Sequence, residues 1–224
     1  MHQFSTEHLA ALGVLVVAAG VSIWVARHAG QRAVAAMSGA VALVIFAGWI
    51  GEQVADVVEG IWSVEYTLPL QLTDIVSLTA IVALLRPRPL LVELTYFWAL
   101  IATLQATVTP DLARTFPSVF YFTYFSYHVG AIVAACLLVF GRRMYPRPGA
   151  AWRVFAATLA VAAIAAVANL ATGGNYMYLR SKPVHSSLLN LMGPWPWYLV
   201  EAAAVGLALL LALEAVTPRR TPRP

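Results

Sequence analysis

A threonine hydroxyl, an imidazole and a carboxylate can cleave or transfer an acyl group when the hydroxyl attacks, the imidazole takes its proton and the carboxylate orients the ring. This chain carries Thr73 and Asp74 side by side, and His128 in a later apolar run. Lys182 or Asn175 would supply the oxyanion donor. At 100° per residue, Gln71, Thr73, Asp74 and Ser77 fall within an arc of about 160° on one helix. Tyr121, Tyr124 and His128 fall within about 60° on another, so two phenols and the imidazole share a face. Gln105, His185 and Glu201 complete the polar set. Each has a structural alternative. Asp74 and Glu201 suit pairing with Lys182 or Arg180, or helix capping; His128 suits a hydrogen bond to a tyrosine or a backbone carbonyl. The two tyrosines suit interhelical packing, and a helical threonine usually bonds its own backbone.

The elements that must position these residues are membrane helices. Of the 224 residues 61% are hydrophobic and 11% charged, a composition for an all-α, polytopic membrane protein. A hydrocarbon core of about 30 Å needs roughly 20 apolar residues per helix. Seven runs qualify: Leu9 to Ala26, Ala33 to Ile50, Leu68 to Leu85, Leu90 to Val108, Ser118 to Phe140, Trp152 to Ala171, and Trp195 to Leu213. They predict a bundle of seven transmembrane helices in a single membrane domain over residues 1–224. The first eight residues hold no Lys or Arg, so the first run is expected to be a retained helix and not a signal peptide.

Orientation follows from the cations, which collect in short cytoplasmic loops. Arg27, Arg32, Arg86, Arg88, Arg142, Arg143, Arg147, Arg153, Arg219, Arg220 and Arg223 account for eleven of the fourteen basic residues. They assign the N-terminus to the outside and a basic tail, residues 214–224, to the cytoplasm. Arg114, Arg180 and Lys182 fall on the outer side. Counting inward from that side, Asp74 and Glu201 are expected about 9 Å deep, Gln105 a few Å deep, and His128 roughly 15 Å deep. Glu93, at the inner end of the fourth helix, is expected to snorkel to the surface. One lysine against thirteen arginines, with this charge pattern, points to a bacterial cytoplasmic membrane.

Two loops stand out. Residues 51–67 place Val54, Val57, Val58, Ile61 and Trp62 at helical spacing among acids, which predicts an amphipathic outer loop or an extension of the second span. Residues 173–194 belong to a polar, aromatic, proline-rich segment, "GGNYMYLRSKPVHSSLLNLMGPWPWY", expected to form an outer lid with Asn175, Lys182 and His185 above the polar cleft. The Ala- and Gly-rich second and sixth helices are expected to pack closely. Cys136 is alone, which excludes an internal disulfide and a multi-cysteine metal site. No phosphate loop, G-x-S-x-G, H-E-x-x-H or acidic metal box is present. The residues call for no cofactor and no metal, and no loop has the cation run and stacking aromatics of a nucleic-acid surface.

The strings "LPLQLTD", "YFWALIATLQATVTPDL", "YFSYHVG", "NYMYLRSKP" and "LLNLMGPWPWY" follow one another from Leu68 to Tyr198. Their succession resembles the signatures of the YwaF-type integral membrane proteins. That family is similar to a eukaryotic transmembrane acyltransferase of ether phospholipids. The resemblance implies acyl chemistry centred on a histidine and a cysteine in L-P-L-H-L-C. Here Gln71 and Thr73 replace them, while His128 matches the histidine of the fifth helix. The departure rules out a cysteine acyl-enzyme.

Two functions follow as expectations. One is a non-catalytic lipid-binding or accessory subunit of an envelope-lipid handling or transport complex, with membrane lipids and other membrane protein subunits as partners. The other is an outer-leaflet acyl hydrolase or acyltransferase with Thr73 as nucleophile, His128 as base and Asp74 as orienter. A proton-coupled transporter using Asp74, His128 and Glu201 ranks below both, because the seven spans show no internal repeat.

Overall fold

The computed structural model describes residues 3–110, 112, 114–183 and 187–218. His185 and the arginines of the tail at 219, 220 and 223 lie outside the described residues. Among the described residues seven main helices follow one another: α1 (Thr6–His28), α2 (Gln31–Val58), α3 (Leu72–Leu85), α4 (Pro89–Val108), α5 (Val119–Gly141), α6 (Ala150–Thr172) and α7 (Trp197–Val216). Among the described residues there is no strand. All but α3 are long and apolar enough to cross a membrane. The chain is a multi-pass membrane protein.

Local chemistry sets the helix ends. Gly30 stands between α1 and α2, and α4 begins on Pro89, whose missing N–H costs nothing at a first helical position. Gly149 and Gly173, at φ 75° and 80°, flank α6 in the left-handed conformation that glycine adopts without strain. The third run was expected to be helical from Leu68, but α3 starts only at Leu72. Pro69 explains the delay, since it lacks an N–H and disfavours helical geometry at Leu68. The resulting 14 residues span about 21 Å, short of the hydrocarbon thickness. At α2 the difference has the opposite sign. The helix continues past Ile50 to Val58, so the acidic, valine-rich stretch prolongs the second helix before the loop begins.

Contacts fix how the helices alternate. At one end, here the upper end, His8 of α1 bonds the Thr107 carbonyl of α4 at 3.0 Å, and the Tyr121 hydroxyl of α5 donates to the Glu7 carbonyl. At the lower end Arg27 of α1 reaches the Phe140 carbonyl of α5. The Glu214 carboxylate of α7 accepts from the Gly149 and Ala151 N–H groups at the start of α6, a helix N-terminus where a carboxylate is favoured. The chain therefore alternates upper and lower ends through all seven helices. The beginning of α1 and the end of α7 lie at opposite ends.

α5 is the centre of the bundle. Burial takes in 83% of its most apolar window, against 6% for α7. α2 lies closest to it because glycines remove the side chains that would hold the backbones apart. A Cβ on Gly48 would stand 2.7 Å from Ser126 Cβ and 3.0 Å from the Tyr127 nitrogen, and one on Gly130 would stand 2.5 Å from Ile45. The still more alanine-rich α6 does not match this. Its lower turn is buried at Ala150, Ala151 and Val154, but Ile164, Val167 and Leu170 are exposed.

Glu93 also departs from expectation, being 1% exposed and not at the surface. It accepts from Arg147 at 2.8 and 3.1 Å, from Arg153 at 2.9 and 3.0 Å, and from the Arg147 N–H at 3.1 Å. Two guanidiniums offer more than solvent could at that depth, so the carboxylate stays inside.

Candidate functional site

Of the candidate residues, Gln71, Thr73, Asp74 and Ser77 lie toward the upper end, where α2, α3 and α5 meet. Asp74 sits in the first turn of α3, shallower than expected because the helix starts late. It accepts the Gln71 N–H at 3.1 Å, the return half of a capping box, and the Trp49 indole N–H of α2 at 3.2 Å. The amide oxygen of Gln71 takes the Met177 N–H at 3.0 Å and so ties α3 to the loop after α6. Ser77, fully buried one turn below Thr73, donates to the Thr73 carbonyl. Thr73 itself is in the second helical position, where no helical carbonyl precedes it by four residues. Its hydroxyl makes no hydrogen bond among the described residues.

His128 is 3% exposed. Its Nδ1 lies 2.8 Å from the Tyr124 carbonyl one turn back, and its ring stacks on Tyr124 at 3.9 Å and against Tyr127 at 4.4 Å. Among the described residues no hydrogen bond joins Thr73 to His128. The tyrosines act as fasteners: Tyr121 reaches α1, and the Tyr124 hydroxyl donates to the Ala106 carbonyl of α4. Gln105 bonds Thr109 just past the end of its own helix and is exposed.

The loop after α6 is knitted mainly to itself and to the 59–71 segment. Asn175 donates to the Ser181 carbonyl and hydroxyl and accepts from the Arg180 and Ser181 N–H groups. Lys182 donates to the Met192 carbonyl at 2.7 Å and lies 5.5 Å above the Tyr198 ring. Glu201, exposed in the second turn of α7, accepts the Gly193 N–H. None of these three side chains bonds the Asp74 cluster.

The residues that do the holding were not singled out in the sequence. Tyr176 is fully buried; its hydroxyl donates to the Val64 carbonyl and accepts from the Leu68 N–H, while Asn169 clamps its backbone at 2.6 and 3.0 Å. Burial raises the Tyr176 phenol above its ordinary pKa. Met177 and Tyr178 beside it both take φ 55°, a conformation that costs non-glycine residues energy and is kept only where surrounding contacts enforce it. Gly174 is required here, since a Cβ would stand 2.5 Å from the Glu65 carbonyl.

Glu52 is the other missed residue. Its carboxylate faces the hydroxyls of Thr123 and Tyr127 on α5 and the carboxylates of Asp56 and Asp74. Thr123 donates instead to the Phe120 carbonyl, and Glu52 Oε2 is buried with no hydrogen-bond partner. The available signal was the spacing of Trp49, Glu52 and Asp56 on one helical face, legible only if the second helix runs beyond Ile50. Chemically, the open oxygen of Glu52 can accept a proton or a hydrogen bond. Among the described residues no three His, Cys, Asp or Glu side chains are placed to share a metal ion.

No curated protein and no solved structure matches the chain. The TMEM164 family model matches residues 3–214, nearly its whole length. A seven-helix bundle is thus assigned by sequence over every one of its helices: this chain belongs to the TMEM164 family, a family of multi-pass membrane proteins.

Proposed function

We propose that the protein is a lipid-binding accessory subunit without catalysis of its own, docked through its helices to a larger envelope-lipid handling complex in a bacterial cytoplasmic membrane. What carries this reading is how the candidate groups are spent. Acyl transfer needs a base beside the nucleophile, an orienter for the base and a free oxyanion donor. Among the described residues no hydrogen bond joins Thr73 to His128, Asp74 caps α3 and holds Trp49 instead of orienting the ring, and Asn175 and Lys182 brace the loop. The exposed apolar faces of α6 and α7 leave room for helical partners. The test is purification from native membranes in mild detergent. A stoichiometric membrane partner with co-purifying lipid is expected; an isolated protein that turns over lipid would overturn the reading.

A second reading, an acyl hydrolase or acyltransferase using Thr73 and His128, is favoured by one observation. The Thr73 hydroxyl makes no hydrogen bond among the described residues and is only half-buried, which leaves it open to act as the nucleophile. Thr73→Ala and His128→Ala should each abolish lipid turnover under this reading. Unchanged turnover in both variants would eliminate it.

A further inference from the structure

Beside α5, on the side where α1 and α2 diverge, lies a lateral groove of about 760 Å³. We propose that it binds one acyl chain of a phospholipid from the upper leaflet, received sideways from the bilayer. Small residues create the space: Ala10, Ala11 and Ala18 on α1 and Ala40 on α2 leave vacant what larger side chains would fill. The walls are valine and phenylalanine side chains, including Val14, Val44, Phe125 and Val129. The volume lies within the range of ligand sites.

Length and polarity identify the occupant. From Thr6 to Ala18 the groove follows α1 for about 18 Å, close to one leaflet of a 30 Å hydrocarbon core. Its polar lining is concentrated at the top, at Thr6, Glu7 and Tyr121; below them only Ser126 interrupts an apolar surface. A headgroup above and a chain beneath match that gradient. A partner's transmembrane helix does not, because it needs a path through both leaflets. The lower half is closed: a Cβ on Gly141 would stand 2.7 Å from Ala26 Cβ, and Arg27 bonds the Phe140 carbonyl. One chain fits the blind groove that remains.

The experiment uses the full chain in nanodiscs of phosphatidylethanolamine and phosphatidylglycerol, doped with a phospholipid bearing a mid-chain diazirine. Photolabel is mapped by peptide mass spectrometry. Label should concentrate on Val14, Val44 and Val129 over the exposed α6 face around Leu170. Ala40→Phe, which substitutes an exposed alanine in the groove, should cut groove labelling about tenfold, equivalent to losing contact with about two buried methylenes. Ala18→Phe repeats the test from α1, and the thermal transition of each variant shows that it has folded. Labelling no greater than on the α6 face, or unchanged in folded variants, would overturn the proposal. So would displacement by a co-purifying protein, or by free fatty acid in preference to phospholipid. The proposal does not require a partner complex, so failure to find one leaves it intact.

Discussion

The two ends of the bundle each bury a carboxylate on a membrane helix, and they treat it differently. At the lower end Glu93 accepts five hydrogen bonds from two arginines and a backbone N–H. At the upper end Glu52 has a buried oxygen with none, although two hydroxyls and Asp74 stand near it. A fully paired buried charge fastens helices together; removing one partner is costly because the other is stranded. A buried oxygen left without a donor costs stability and stays available for a proton or a ligand. The lower end is thus the structural clamp, and the upper end is the place to look for function.

That contrast can be broken at several points. The largest effect is expected when both Arg147 and Arg153 become alanine, leaving Glu93 buried and unpaired. A loss of about 3 kcal/mol is expected, the lower end of the usual range because both guanidiniums already reach water. Adding Glu93→Gln should restore part of the melting temperature; no recovery would mean the arginines act by packing alone. Next, Gly48→Ala presses a methyl group against the α5 backbone beside Glu52 and should cost about 1–3 kcal/mol. Gly130→Ala meets only the movable side chain of Ile45 and should cost less, as thermal unfolding of the two variants in one detergent will show. Tyr176→Phe deletes one donated and one accepted hydrogen bond and should cost about 1–2 kcal/mol. Its clearest readout is faster proteolysis in the 59–71 segment. Smallest in cost, Glu52→Gln should leave stability unchanged or slightly higher, because it replaces a carboxylate whose buried oxygen lacks a donor with a neutral amide. A large destabilisation there would make Glu52 a second clamp and erase the difference between the ends.

Reading depth from sequence worked where helices are uniform and failed where punctuation intervened. The apolar runs placed every main helix, because about 20 hydrocarbon residues leave the chain no other way to satisfy its backbone in a bilayer. Asp74 was put too deep because Pro69 delays α3. Glu52 was not singled out, because residues 51–67 left open an outer amphipathic loop or an extension of the second span, and it is the extension to Val58 that turns its carboxylate toward α5. For Glu93, the expectation of snorkelling assumed water as the best partner, whereas Arg147 and Arg153 arrive from a later segment of the chain. The Gln71 to His128 set was legible as residues that share helical faces. Its hydrogen-bond partners were not, since Trp49, Met177 and the Ala106 carbonyl come from other elements.

The sequence by itself determined that this is a multi-pass helical membrane protein with its polar side chains confined to a few helix faces, because hydropathy and helical period are local properties. Tertiary structure decided which of those side chains are consumed and which stay open. Whether Asp74 holds Trp49, Tyr176 locks a loop or Glu52 keeps a vacant oxygen depends on groups more than a turn away. A hydrogen bond needs its partner within about 3 Å, and only the packing of α2, α3 and α5 brings those partners together.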